Sequence, residues 1–170
     1  MNVTQTERLI LRHLTKEDAE FIVELLNEPD WIKYIGDRGI RTVEAAKQYV
    51  LEGPMTMYAE HGIGLYLIEL KEQAVPIGLC GLLHRDFLKD VDLGFAVLSK
   101  YWGRGYAYEA AKATLDYGFE DLGYRRIVGF TSLDNEKSAN LLQKLGMKDE
   151  GTIKYASTAE KVRLFAKEFQ

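Results

Sequence analysis

The spacing of apolar residues in the first third of the chain predicts one strand followed by two helices. Residues 7–11 (ERLIL) form a short apolar run typical of a strand, and the apolar positions from 19 to 26 recur at helical spacing. Pro29 is expected to end this first helix, and residues 31–41 to form a loop. A second helix is expected over 42–52, with the threonine at its start as the cap.

The remaining part of the chain alternates between strand-like and helix-like patterns. Strand–helix–strand units imply a parallel part of the sheet, and hairpins imply an antiparallel part. The pattern predicts an α/β protein (mixed α+β) with a central mixed, partly antiparallel sheet flanked by helices, in a single domain of residues 1–170. Strands are expected over 64–70, 76–83, 91–98, 125–132 and in the tail containing 162–169, and helices over 106–122 and 135–145, which end near Gly123 and Gly146.

Length and composition limit the possible functions. The 170 residues are 46% apolar and 28% charged, and 22 Lys and Arg against 26 Asp and Glu give a net charge of −4. This balance argues against nucleic-acid binding, which needs a basic surface, and favours a basic or amine-bearing partner. No signal peptide or membrane-spanning run is visible, and Cys80 is the single cysteine, so a cytoplasmic protein without membrane contact is expected. The expected oligomeric state is a monomer or a homodimer.

A glycine-rich turn between a predicted strand and a predicted helix is the strongest chemical signal. Gly103, Arg104 and Gly105 lie between strand 91–98 and helix 106–122. The first amides of a helix lack partners and carry partial positive charge, and glycine lets a phosphate approach the backbone. A diphosphate is therefore the expected guest, and a plain strand–helix turn is the alternative.

Two familiar phosphate-binding loops do not match this turn. A Walker A loop needs Lys and then Ser or Thr after its last glycine, whereas Gly105 is followed by Tyr106 and Ala107. A dinucleotide fingerprint needs a third glycine where Tyr108 stands. A nucleotide-binding oxidoreductase is therefore the least favoured hypothesis.

The turn and two further segments resemble the GNAT superfamily of acyl-CoA N-acyltransferases. Lys100, Gly103 and Gly105 are similar to that superfamily's Q/R-x-x-G-x-G/A signature, with Lys in place of Gln or Arg. The segment 135–147 is similar to its N-x-x-S/A…LGF pattern, and the opening 6–18 resembles the branch of the RimJ/RimL ribosomal-protein N-acetyltransferases. The resemblance covers nearly the whole chain and implies a GNAT-type acyl-CoA N-acyltransferase fold.

The resemblance implies acetyl-CoA as co-substrate, an amine as acceptor, and no metal. Amides of the turn would bind the diphosphate, and the pantetheine arm would lie along the preceding strand, where a backbone amide would stabilise the oxyanion as the amine attacks the thioester. The asparagine after the next strand would bind the arm. The residues so implied at the cofactor are Phe95, Ala96, Val97, Lys100, Trp102, Gly103, Arg104, Gly105, Tyr106, Ala107 and Asn135.

The proton donor to the leaving thiolate departs from the usual family pattern. Many members carry a tyrosine seven residues after the asparagine, where this chain has Leu142. Ser138 is the best remaining catalytic proton donor, as in the RimJ/RimL-like branch. The alternative is that Ser138 only forms a hydrogen bond in the first turn of the helix. Cys80 is expected to be a small core residue, because direct transfer needs no covalent enzyme intermediate.

Asp92 is the leading candidate for the general base. A charge within a buried strand needs a purpose or a partner, and Asp90 on the same face is expected to raise its pKa. An ion pair with an arginine such as Arg85 is the alternative. His84 and Glu69 are rival bases, and water alone can also relay the proton.

The acceptor is expected to bind between the loop 31–41 and the carboxyl-terminal hairpin. Arg38 and Arg41 are candidates to contact a carboxylate or carbonyl of the acceptor. The alternative is that these arginines are solvated or hold the loop in place. Tyr34, Tyr58 and Tyr155 are candidate exposed aromatics for this pocket or for an interface. The first hypothesis is an acetyl-CoA-dependent N-acetyltransferase acting on a protein N-terminus of the Ala or Ser type or on a small amine; the second is a non-catalytic acyl-CoA-binding or regulatory module.

Overall fold

The computed structural model describes residues 1–170, which form one eight-stranded sheet with helices against both faces. The strands are β1 (Asn2–Gln5), β2 (Leu9–His13), β3 (Leu65–Leu70), β4 (Val75–Leu83), β5 (Asp92–Val97), β6 (Arg126–Ser132), β7 (Lys148–Lys154) and β8 (Lys161–Glu168). The helices are α1 (Ala19–Leu26), α2 (Pro29–Tyr34), α3 (Val43–Glu52), α4 (Pro54–His61), α5 (Tyr106–Glu120) and α6 (Glu136–Lys144). None of these helices has the length and apolar character needed to cross a membrane.

The sheet has the order β1-β2-β3-β4-β5-β6-β8-β7. Every pair of neighbouring strands is antiparallel except β5 and β6, which are parallel. The parallel pair arises because α5 carries the chain back across the sheet between these two strands. The predicted mixed, partly antiparallel sheet flanked by helices is therefore confirmed.

The parallel strands β5 and β6 separate almost as soon as they pair. Their register contains one residue pair, Asp92 opposite Val128, and the amide of Val128 donates to the carbonyl of Val91 at 3.0 Å. Beyond this pair no ladder joins the two strands, so a gap opens toward their carboxyl ends. This gap is called the fork below, and its walls are residues 93–97 of β5 and 129–132 of β6.

The two faces of the sheet carry different helices. On one face, the α5 face, α5 and α6 bury Leu115 and Leu142 in a core cluster shared with the sheet. On the other, the α1 face, α1 and α3 bury Ile22 and Val50 in a second cluster, which includes Leu79 of β4. The fork therefore opens to both faces between two separate helical layers.

Two prolines begin helices that the sequence pattern does not predict. The first helix ends at Leu26, and Pro29 is the first residue of α2, so residues 31–34 are helical and the expectation of a loop there is wrong. Pro54 likewise begins α4. Proline suits the first helical position because its missing N–H needs no partner there and its φ is already helical.

The amino-terminal strand also differs from the prediction. β2 begins at Leu9 rather than at residue 7, and β1 is an additional edge strand. Its residues Asn2–Gln5 are exposed or half-buried and mostly polar, so no apolar alternation marks them. Pairing with β2 is what orders them as a strand.

The predicted helix caps are confirmed. The Thr42 hydroxyl accepts from the amide of Ala45 at 3.1 Å and begins α3. The residues expected to stop α5 and α6, Gly123 and Gly146, have φ of 78° and 88°. This left-handed conformation suits glycine and ends each helix next to the following strand.

Candidate active site

The turn before α5 presents unpaired backbone amides. Gly103 and Gly105 have φ of 79° and 81°, and Arg104 between them is exposed to solvent. Gly105 is the N-cap of α5, and no side chain caps this helix. The amides of Tyr106 and Ala107 therefore have no partner within the helix. The helix is 15 residues long, and the unpaired amides at its amino terminus can bind an anion such as a diphosphate.

Aromatic and cationic side chains hold this turn against its neighbours. Trp102 donates from Nε1 to the carbonyl of Val97 at 2.8 Å, which ties the turn to the end of β5. Lys137, at the start of α6, places Nζ 3.9 Å from the centre of the Trp102 ring. Lys100 lies 3.5 Å from the carboxylate of Glu24, but both are exposed, so this ion pair restrains Lys100 weakly.

The edge of β5 that borders the fork carries free amides. Backbone groups alternate along a strand between its two neighbours, and the bond from Val128 to Val91 sets the phase. The amides of Phe95 and Val97 therefore face the fork, where no strand pairs with them. The amide of Ala96 faces β4 instead, so among the three predicted cofactor residues of β5 it is the one whose backbone does not border the fork.

α6 begins beside the fork with the predicted polar pair. The side-chain oxygen of Asn135 accepts from the amide of Ser138 at 3.2 Å and caps the helix. This bond uses only the backbone of Ser138, so its half-buried hydroxyl is left free for another partner. Leu142 is buried and lies against Gly129 of β6, which places an apolar side chain where many family members have a tyrosine.

Asp92 is a buried carboxylic acid on the α1 face. Its exposed fraction is 1%, and Arg85 donates from Nε to its carboxylate at 3.0 Å. Burial raises the pKa of Asp92 to about 6, while the charge of Arg85 limits the rise. Asp90 is not the cause, contrary to the expectation, because its carboxylate accepts a bond of 3.1 Å from Arg126 and burial accounts for the shift. A group with this pKa changes charge near neutral pH, as a general base must.

The rival bases lie in other contacts. Glu69 of β3 forms an ion pair with Arg12 at 3.0 Å. His84 stacks on His61, with ring centres 4.6 Å apart. Neither residue belongs to β5 or β6, the two strands that separate at the fork, so Asp92 is the one of the three candidates that lies on a strand of the fork.

Three aromatic rings gather on the α1 face beside the fork. The ring centres of Phe87, Phe130 and Tyr155 lie between 5.1 and 5.7 Å apart. Tyr155 is thus in the region predicted for the acceptor. Tyr34, Tyr58 and Tyr155 are all half-buried rather than exposed as expected, and the hydroxyl of Tyr58 accepts from the amide of Leu14. Phe87 and Phe130 carry no sequence motif, and their grouping depends on which strands are neighbours.

Tyr49 of α3 lies near the positive charges of two arginines, Arg38 and Arg85. The guanidinium carbon of Arg38 lies 5.7 Å from the centre of the Tyr49 ring. Burial raises the pKa of Tyr49, and the charges of Arg38 and Arg85 oppose that rise. Arg41, the other predicted acceptor contact, forms an exposed ion pair with Asp37 at 2.8 Å. Tyr49 links the predicted loop to the Asp92 region, and only its position on an apolar helical face signals it in the sequence.

Cys80 is the buried core residue that its sequence context predicts. Its sulfur lies 3.3 Å from the hydroxyl of Thr114, and burial raises the pKa of the thiol to about 12. The thiol therefore stays protonated near neutral pH, and it is not a nucleophile.

The chain matches a known family over most of its length. A family model described as "Acetyltransferase (GNAT) domain" matches residues 8–148. The chain belongs to the GNAT acetyltransferase family. Members of this family use acetyl-CoA and an amine acceptor, so the predicted recognition and the predicted enzyme class, an N-acetyltransferase, are confirmed.

Individual relatives agree with this assignment. The N-acetyltransferase YoaA of Bacillus subtilis is 29% identical over 154 residues, which cover 89% of this chain and 86% of YoaA. A GNAT-family acetyltransferase structure from Bacillus anthracis is 26% identical with a TM-score of 0.80, covering 99% of this chain and 98% of the other. The structure of RimL, a ribosomal L7/L12 α-N-protein acetyltransferase in complex with coenzyme A, is 16% identical with a TM-score of 0.85, covering 99% and 98% of the two chains, and shares the fold.

Proposed function

We propose that this enzyme transfers the acetyl group of acetyl-CoA directly to a primary amine, and that the two substrates enter the fork from opposite faces of the sheet. The fork itself carries the proposal. Unpaired helix amides lie on its α5 face, a buried acid of raised pKa lies on its α1 face, and unpaired strand amides lie between them.

The donor would bind at the turn before α5. Backbone amides over 103–107 would contact the diphosphate, with Lys100, Trp102 and Arg104 around it. Asn135 would contact the pantetheine arm in addition to capping α6. The open left-handed turn supports this assignment, since no side chain competes for the amides of the first turn of α5.

The chemistry needs one hydrogen-bond donor and two proton-transfer groups. A bond forms between the amine nitrogen and the acetyl carbon, and the bond from that carbon to sulfur breaks. The amide of Phe95 or Val97 would donate to the acetyl oxygen as negative charge develops on it. Asp92 would take a proton from the amine, directly or through water, and Ser138 would give a proton to the thiolate and regain one from solvent.

The acceptor would bind on the α1 face against the aromatic rings. We assign the chain to the RimJ/RimL-like branch, which favours a protein N-terminal amine of the Ala or Ser type, with a small-molecule amine as the second candidate. The opening segment 6–18 supports this assignment, as does the similarity in fold to RimL. We also propose a cytoplasmic location for the enzyme, and the single cysteine, which is buried and free, is consistent with it.

Thermal unfolding with CoA, acetyl-CoA and NAD tests the donor half. At a ligand concentration of about 100 times Kd, binding adds about 2.7 kcal/mol, which raises the unfolding midpoint of a chain of this size by about 5–10 °C. We expect this rise with CoA and acetyl-CoA and none with NAD. A rise with NAD alone would overturn the proposal.

Release of the CoA thiol over a panel of amines and N-terminal peptides tests the acceptor half. Acetyl transfer predicts that at least one acceptor raises thiol release well above the rate without acceptor. If the chain binds CoA but no amine raises that rate, the alternative of a non-catalytic acyl-CoA-binding module is favoured.

A further inference from the structure

Two adjacent hydroxyls at the end of β6 are buried without a partner. Thr131 is 6% exposed, and neither its Oγ1 nor the Oγ of Ser132 has a hydrogen-bond partner or access to solvent. A buried hydroxyl that is left unpaired destabilises a protein, and such groups are few in native structures. Their position at the wall of the fork calls for a ligand-based explanation.

Alternation along β6 turns these hydroxyls to opposite faces of the sheet. Gly129 lies against Leu142 of α6, so Thr131, two residues further, points to the α5 face. Phe130 lies under the guanidinium of Arg85 on the α1 face, so Ser132 points there. The first hydroxyl therefore faces the side on which the donor would enter, and the second faces the acceptor side.

Thr131 is level with the free amides across the fork. Asp92 and Val128 are the last paired residues, and Phe95 and Thr131 are each three residues beyond them. A pantetheine arm that follows the free edge of β5 would pass between Phe95 and Thr131 near its acylated end. The arm carries amide and thioester carbonyls, which accept hydrogen bonds from hydroxyls.

No protein group nearby satisfies the Thr131 hydroxyl. Arg163, opposite Thr131 on β8, is engaged by the carboxylates of Glu136 and Asp149 at 3.6 and 3.1 Å. The small exposed fraction of Thr131 belongs to its other atoms, since Oγ1 itself is covered.

We propose that Thr131 is a binding residue for the pantetheine arm, and that its hydroxyl donates to an amide carbonyl of the arm, a group that CoA and acetyl-CoA share, opposite Phe95. This inference rests on the proposed use of acetyl-CoA at the fork. It adds a side-chain contact from β6 to a site otherwise built from the backbone of β5 and the start of α5. It also gives the unpaired Thr131 hydroxyl a hydrogen-bond partner in the complex, which it lacks in the free protein.

Calorimetric titration of Thr131→Val with two ligands tests the contact. Valine keeps the shape and removes the hydroxyl. We expect the Kd for CoA to rise about fivefold, the effect of one neutral hydrogen bond. The Kd for adenosine 3′,5′-bisphosphate, which lacks the arm, should stay within about twofold. The unfolding midpoint of the free variant should rise by about 2–4 °C, because an unsatisfied hydroxyl is removed.

Two further variants complete the test. Thr131→Ser keeps the hydroxyl and should bind CoA like the wild type. Ser132→Ala removes the neighbouring buried hydroxyl on the opposite face and should leave the Kd for CoA unchanged. An equal loss of affinity for both ligands in Thr131→Val, or a loss of CoA affinity in Ser132→Ala, would show a structural effect and overturn the inference.

The result for the wild type separates this inference from the proposed function. If the wild type fails to bind CoA, the proposed function fails with it. If the wild type binds CoA and Thr131→Val binds it equally well, only the role of Thr131 is overturned.

Discussion

Asp92 is subject to two opposing influences on its charge. Burial favours the neutral acid, and the ion pair with Arg85 at 3.0 Å favours the carboxylate. Burial prevails, because the pKa of Asp92 lies at about 6, above the ordinary value for an aspartic acid. The side chain therefore holds its proton below this pH and can accept one only above it.

Replacement of Asp92 tests its role as the base. For the wild type we expect kcat/KM to rise with pH through about 6, as Asp92 loses its proton in the free enzyme. Asp92→Asn should lose this rise, and its kcat/KM at pH 8 should be about 10²- to 10⁴-fold lower than that of the wild type. A pH–rate profile with the amine well below its KM measures both. Retention of the rise in this variant would exclude Asp92 as the base.

Arg85 and Asp90 provide a matched pair of further variants. Arg85 lowers the pKa of Asp92, so Arg85→Met should move the rise in kcat/KM to higher pH. Asp90 is bound to Arg126 and does not set that pKa, so Asp90→Asn should leave the position of the rise unchanged. A shift in the Asp90 variant of the same size as in the Arg85 variant would contradict this assignment.

The hydroxyl of Ser138 can be removed without removing the helix cap. Asn135 accepts from the backbone amide of Ser138, and this bond remains in Ser138→Ala. We therefore expect kcat to fall by about 10²- to 10⁴-fold, with the unfolding midpoint and the Kd for CoA unchanged. Ser138→Thr, which keeps a hydroxyl, should recover most of the rate. An alanine variant with normal kcat would leave Ser138 with the backbone role alone.

At the scale of an element, the two ends of α5 differ in function but share a backbone conformation. Gly105 begins the helix at φ 81°, and Gly123 follows its end at φ 78°. A Cβ at Gly123 would meet nothing, and one at Gly105 would meet only the end of the Arg8 side chain at 3.4 Å. Alanine at either site therefore carries the same left-handed strain, of about 1–2 kcal/mol.

Because alanine carries the same backbone strain at both sites, a comparison of the two variants separates an effect on cofactor binding from an effect on stability. Gly105→Ala and Gly123→Ala should each lower the unfolding midpoint by about 2–8 °C. Only Gly105→Ala should weaken CoA binding, by at least about tenfold, because its methyl group would stand where a phosphate approaches the helix amides. Titration calorimetry with CoA measures the difference. Equal CoA affinity in the two variants would contradict diphosphate binding at this turn.

Elements were predictable from the sequence where local chemistry specifies them. Capping by Thr42 and Asn135, and the glycine stops of α5 and α6, act between residues close in the chain. α2 and α4 were not predictable in the same way, because a proline marks a helix start as well as a helix end. For β1, pairing with β2 decides the conformation, and no local pattern records that pairing.

At the scale of the whole molecule, the proposed function places both substrates in the fork at once. Direct transfer predicts sequential kinetics, with double-reciprocal lines that intersect, in contrast to the parallel lines of a covalent intermediate. Cys80 is buried with a thiol pKa of about 12, so Cys80→Ala should keep kcat within about twofold. Parallel lines together with loss of activity in this variant would indicate an acyl-cysteine intermediate.

The sequence by itself determined the donor half of the proposed site, because its signals are local. The glycine turn before a helix and the capping asparagine depend on residues adjacent in the chain. Together with the rest of the segment 135–147, the opening 6–18 and the order of the elements, they predicted the family. Only the tertiary structure decided the rest. The separation of β5 from β6 beyond Asp92, the pairing of that acid with Arg85, and the face to which Thr131 points depend on which strands become neighbours. That choice is made by burial of the two helical layers against the sheet, and no single stretch of sequence contains it.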